Sequence, residues 1–116
     1  MRLRWLLLPL LLLLAGCSKG PLADLQYIGE ARSLASEWAL VNEQAAEGKL
    51  TGAYVSAMHK SLRQQIRTAK AALTVPDSSY AHEMATLLAT PDDAPPQELR
   101  HHAERLKHIE DALESA

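Results

Sequence analysis

The chain has no phenylalanine and a single cysteine, Cys17. One thiol excludes an intramolecular disulfide and any zinc site built from cysteine pairs. β-Branched aliphatics are scarce: after Cys17 there are three valines and three isoleucines, and no stretch alternates apolar and polar over strand length. Positive charge is not in excess. Residues 17–116 hold 10 Lys and Arg against 14 Asp and Glu, a net charge of −4. A mildly acidic domain gains nothing from a phosphate backbone, which argues against nucleic acid as a partner. Large apolar side chains are few as well. Apart from alanine, the residues after Cys17 include 24 sizeable apolar side chains. That is enough for one small core, not for a multi-domain enzyme or a nucleotide-binding α/β fold.

The apolar residues that are abundant lie at the front. Arg2 and Arg4 precede a ten-residue run, Trp5 to Leu14, interrupted only by Pro9. The run is too short to span a bilayer, which takes about 20 apolar residues. A basic start followed by a short apolar run has the pattern of a secretory signal. Its end is Leu14-Ala15-Gly16-Cys17. This resembles the lipobox of bacterial lipoprotein precursors. The resemblance covers about the first 18 residues. It implies a cleaved signal peptide over 1–16, covalent diacylglycerol and fatty acid such as palmitate on Cys17, and no other cofactor. Ser18 in place of an aspartate implies, by the enterobacterial sorting rule, the periplasmic face of the outer membrane. Residues 17–21 are then a lipidated tether and residues 22–116 a single domain.

That domain reads as helical throughout, from its wealth of Ala, Leu, Glu, Gln and Arg. In the first helix, about Leu22 to Glu47, the residues Tyr27, Ala31, Leu34, Trp38, Val41 and Ala45 share one face, and Gly48 stops it. The second runs from about Gly52 to Thr74, with Thr51 as cap and Leu50 and Val55 as a hydrophobic staple. Its stripe is Val55, Met58, Leu62, Ile66, Ala69 and Leu73. A short third helix fits Tyr80 to Ala89, capped by Ser79. After a Pro/Asp loop over 90–96, the fourth begins at Pro96 with Leu99, His102, Leu106, Ile109 and Leu113 inward. The expected fold is all-α: a small antiparallel bundle of three long helices and one short one.

Candidate chemistry is sparse. His101, Glu104 and His108 share one face of the last helix and offer a metal reading, though the face lies opposite Leu99 and Leu106 and is expected to be solvated. Met58-His59 and His82–Met84 are soft-ligand pairs suited to copper, but both methionines fall on core stripes. No Gly-x-Ser-x-Gly turn is present, and the one thiol is assigned to lipid, so no enzyme is expected. Lys60, Arg63, Arg67 and Lys70 form a basic stripe along the second helix. Either it contacts anionic lipid or an acidic partner, or it pairs across the hairpin, Glu37 with Lys60 or Arg63 and Glu30 with Arg67 or Lys70. Leu22, Leu25 and Leu40 point off the main stripe. Either they pack against the third or fourth helix as a second contact face, the commoner case, or they are exposed to membrane or a partner, and Leu22 and Leu25 are close enough to Cys17 to touch a bilayer surface.

Size and helix count are similar to pilotins, lipoproteins that escort secretin subunits to the outer membrane, at the level of architecture alone. The reading that follows is a membrane-anchored, non-enzymatic protein-interaction or assembly module. The alternative is a periplasmic metal-binding lipoprotein using His101, Glu104 and His108.

Overall fold

The computed structural model describes residues 19–116. They form four α-helices and, among the described residues, no strand: α1 Pro21–Ala46, α2 Gly52–Ala71, α3 Ser79–Leu88 and α4 Pro96–Glu114. The all-α expectation holds in that form. The lipobox and Cys17 lie outside the described residues. No helix among those described is long and apolar enough to cross a membrane.

Local chemistry sets the helix ends. Pro21 and Pro96 open α1 and α4, where a missing N–H costs nothing. Thr51 Oγ1 accepts the Tyr54 N–H at 3.2 Å, and Leu50 and Val55 on either side of this cap both pack on the core. Gly48 has φ 72°, a left-handed conformation that favours glycine. It lets Gly48 N–H reach Ala45 O and Lys49 N–H reach Gln44 O, each at 3.0 Å, the pair of bonds that closes a Schellman motif. Two expected ends are corrected. The cap of α3 is Ser78, whose extended backbone lets Oγ accept the Ala81 N–H at 3.2 Å, while Ser79 is already helical. α2 stops at Ala71 rather than Thr74. The N–H groups of Thr74 and Val75 turn instead to the carboxylate of Asp24 on α1, at 2.9 and 3.2 Å.

Asp24 is fully buried and also accepts from Thr74 Oγ1 at 2.9 Å and Tyr80 Oη at 2.7 Å. Burial alone would push its carboxyl up. The hydrogen bonds from Tyr80, Thr74 and Val75 outweigh that and hold it below the ordinary aspartate value. Tyr80 is pushed up to about 12, first by burial and then by the bond it donates to Asp24. One carboxylate thus clasps the start of α1, the end of α2 and the start of α3.

α1 touches all three other helices and packs most extensively on α4. Its burial is therefore wider than a single stripe. Ala31, Leu34, Trp38 and Val41 are buried as the periodicity predicts, but Tyr27 and Ala45 are only half-buried. Ile28, Ala35 and Ala39 are fully buried as well, because a helix flanked on several sides must bury more than one face. Ala31, Ala35 and Ala39, each four residues from the next, form a row of small side chains along it. Where α4 comes past Gly29, a Cβ would stand 2.5 Å from Glu110 Oε2.

The core has two clusters. One gathers Leu34, Leu62, Ile66, Leu87 and Leu99 around Trp38. The other joins Ile28, Tyr80, Met84 and Leu106. Each fully buried Leu, Ile or Met contributes about 1.5–3 kcal/mol. Among the described residues, the two clusters run from Ile28 to Leu113. At the periphery Arg100 near the start of α4 pairs with Glu43 near the end of α1. Glu110 near the other end of α4 lies 3.1 Å from Arg32 Nε, close enough for an ion pair but not aligned as a hydrogen bond.

Candidate functional site

The proline- and aspartate-rich loop between α3 and α4 is anchored from two helices. Trp38 Nε1 and Asn42 Nδ2, one turn apart on α1, both donate to Asp92 O at 2.9 Å, and Asn42 Nδ2 also donates to Ala94 O at 2.9 Å. From α2, Arg63 donates through Nε to the Asp92 carboxylate and through its two terminal nitrogens to Leu88 O, at 2.8 Å, and Thr90 O. Its guanidinium also stands 4.6 Å from the centre of the Trp38 ring, within cation–π range. The planar fork meets three acceptors and an aromatic face at once, which a lysine cannot do.

Beside this loop lies an open groove of about 260 Å³, lined by Asn42, Ala45, Ala46, Val55 and His59 from the first two helices and by Asp93, Ala94 and Pro96. Its one ring nitrogen system is well defined. Both Asn42 amide protons are directed at carbonyls, so Asn42 Oδ1 is an acceptor, and His59 Nε2, 2.7 Å away, must donate to it. In the neutral ring Nδ1 is then the free acceptor. His59 is only 8% exposed. Arg32 Nε is the one fully enclosed side-chain nitrogen or oxygen without a hydrogen-bond partner among the described residues. His59 is among the residues that line the groove, and no hydrogen bond to its Nδ1 is made among the described residues. The result is a mostly apolar recess whose lining includes the hydrogen-bonded Asn42–His59 pair and the acidic residue Asp93.

The other site residues named from sequence are placed as follows. His101 and Glu104 are exposed and 3.8 Å apart, and His108 is exposed on the same helix. Among the described residues no three His, Cys, Asp or Glu side chains converge as a metal site. Met84 is buried and Met58 packs against the Trp38 cluster, so both methionines do core work. His102 is buried, donating through Nδ1 to Glu83 at 2.7 Å, and Arg105 Nε meets the same oxygen at 2.8 Å. Leu22 is 67% exposed and Leu40 49%, whereas Leu25 is half-buried.

The basic stripe is not the unit its spacing implies. Arg63 leaves it and turns inward to the loop. The expected cross-hairpin pairs are not made: neither Glu30 nor Glu37 bridges to α2, and Lys60, Arg67 and Lys70 have no carboxylate partner among the described residues. Glu30 and Glu37 are turned outward on α1. Sequence reasoning names His59 as a soft ligand and Arg63 as part of the basic stripe, but it misses Asn42 and the trio that the three residues form. Its signal was polar residues interleaved with apolar ones on buried faces, Asn42 beside Val41 and His59 and Arg63 on either side of Leu62.

No protein-family model, no curated protein and no solved structure matches this chain.

Proposed function

We propose that the protein is a bacterial envelope lipoprotein, anchored through lipid on Cys17, that works without catalysis as a protein-interaction or assembly module. Its body is an antiparallel bundle of three long helices and one short one. Its working surface is the groove beside His59. The observation that carries this reading is the groove's make-up. At about 260 Å³ it falls just below the ~300–1,000 Å³ of typical small-molecule sites and suits one large side chain of a partner. Alanine, valine and proline walls favour an apolar anchor. His59 Nδ1 favours an anchor carrying an N–H. Asp93 in the lining favours a lysine or arginine beside the anchor. The imidazole is oriented by an amide, which suits recognition better than bond-making.

Ala45 lies 24 residues along α1 from Pro21, about 36 Å at the helical rise, so the groove is far from the tether along that axis. Two experiments test the reading. Cys17→Ala is expected to give an uncleaved precursor that takes up no labelled palmitate; normal maturation and labelling would refute the anchor. A photoreactive side chain at Ala46 is expected to crosslink one discrete envelope protein in intact cells. That crosslink should vanish when Val55→Lys fills the groove and should not form from Ala112. Equal crosslinking from both positions, or no effect of Val55→Lys, would refute the groove.

A further inference from the structure

Charge in this protein is segregated by helix. α2 carries Lys60, Arg63, Arg67 and Lys70 and not one Asp or Glu in its 20 residues. The rest of the described chain holds six basic residues, from Lys19 to Lys107, against all 14 acidic ones. An isolated basic helix on an acidic molecule normally neutralises itself against its neighbours. This one does so only through Arg63. Lys60 and Arg67 are exposed, Lys70 is half-exposed, and none of the three meets a carboxylate among the described residues. At 100° per residue Lys60 and Arg67 point the same way to within about 20°, and Lys70 is about 60° further round.

The position of the edge says what it faces. Gly20 N–H donates to Thr74 Oγ1 at 2.9 Å, and the same hydroxyl lies 3.3 Å from Gly20 O. The chain leading back to Cys17 is thus fastened beside the residues that follow α2. Lys70 is four residues from that fastening. Lys60 is ten residues further along, about 15 Å up the helix. This exceeds the ~8 Å over which salt leaves an exposed charge effective. If the domain stood on its tethered end, Lys70 would be the one of these three to feel a charged membrane most strongly, and Lys60 would be out of range.

We infer that α2 lies flat along an anionic bilayer surface, with Lys60, Arg67 and Lys70 on the lipid headgroups and the acidic remainder of the domain turned away. The inference rests on the lipid-anchor reading for the proximity of the bilayer, but the contact itself belongs to α2. It predicts a domain lying on its side, which keeps the groove at membrane level although the groove is far from the tether along α1.

The test uses residues 19–116, which hold both core clusters described above and contain no Cys17; circular dichroism and a cooperative melt first establish that this segment folds. Flotation with vesicles of pure phosphatidylcholine is compared with vesicles that also contain phosphatidylglycerol. Binding is expected only to the anionic vesicles, and is expected to fall as salt is raised. At roughly fivefold per basic side chain, Lys60→Gln, Arg67→Gln and Lys70→Gln each weaken it to a similar degree, and the triple variant by about 100-fold. Lys60→Arg restores it, and Lys107→Gln on α4 leaves it unchanged. Circular dichroism checks that every variant keeps its helices. The inference is overturned if the triple variant floats as well as the parent. It is overturned equally if Lys70→Gln acts while Lys60→Gln is silent, the mark of a domain standing on end. Absence of binding to anionic vesicles also overturns it and redirects the stripe to an acidic protein. None of these outcomes bears on palmitate labelling of Cys17, so the two readings fail separately.

Discussion

Arg63→Lys keeps the charge, most of the length and the place on α2, and is expected to damage the protein severely. The arginine donates to three acceptors on the 88–92 segment and lies over the Trp38 ring. A lysine ammonium can reach one of these acceptors, and its point charge cannot stack flat on the indole. Two hydrogen bonds to a charged donor are lost, each worth about 1.5–3 kcal/mol when both partners are largely buried. Arg63 is partly solvated, with its side chain 16% exposed, and the Asp92 carboxylate is mostly in water. The low end applies, and the expected loss is about 2–4 kcal/mol. In a domain of this size that lowers Tm by at least ~8 °C. The loop it releases forms one wall of the groove, so crosslinking from position 46 should weaken even below Tm. Urea unfolding followed by circular dichroism measures the first effect. Trp38 emission, shifted toward that of a solvated indole, reports the second. A variant within ~0.5 kcal/mol of the parent with unchanged emission would refute the claim that Arg63 holds this loop.

Asp24→Ala leaves the buried Tyr80 hydroxyl unpaired and takes the acceptor from the partly solvated Thr74 and Val75 N–H groups, and is expected to cost about 2–4 kcal/mol by thermal unfolding. Because the folded Asp24 carboxyl titrates below its ordinary 3.8, its contribution is complete above about pH 4 and is lost as the pH falls through the lower folded value; Asp24→Asn should flatten that acid limb. Tyr80 titrates oppositely. Its contribution is complete below pH 10 and declines by about 2–3 kcal/mol as the pH rises to about 12, a limb absent from Tyr80→Phe. Gly48→Ala, forced into a left-handed conformation, is expected to cost ~1–2 kcal/mol in denaturant midpoint, and a neutral result would argue against the Schellman turn. Trp38→Ala empties the centre of the larger core cluster and is expected to cost ~3–5 kcal/mol.

Periodicity carried the fold a long way. Steps of three and four located all four helices, and Thr51, Gly48 and Pro96 located ends, because capping is decided by neighbours in sequence. The ends it misplaced are those decided across space. Thr74 reads as helix until Asp24, fifty residues earlier, takes its N–H. The site was less legible for a related reason. A stripe of like charges looks the same whether all four residues are solvated or one of them turns inward. Only the loop carbonyls at 88 and 90, whose location no local pattern gives, separate Arg63 from Lys60. His59 reads as half of a soft-ligand pair, and Asn42 carries no pattern that singles it out. Their meaning lies in the bond between them, seventeen residues apart. Pairing Glu30 and Glu37 with the α2 cations assumed that an antiparallel register brings side chains face to face. Register fixes height along the axis, and the rotation of each helix is fixed by what α1 must bury against α4.

The row of Ala31, Ala35 and Ala39 inverts the usual relation between the size of a residue and its importance. In most small domains a scan of substitutions is punished hardest at the bulky core positions, where removal leaves a void. Here the central helix is in contact on three sides, and these alanines have no exposed surface at all. Leucine or even valine at 35 or 39 has nowhere to go without levering neighbouring helices apart, whereas Leu34 or Val41 tolerates a neighbour of similar volume. Sequence drift in this protein is therefore channelled. Its large residues can exchange among themselves, its helix surfaces can change almost freely, and its smallest buried side chains are the ones with no allowed alternative.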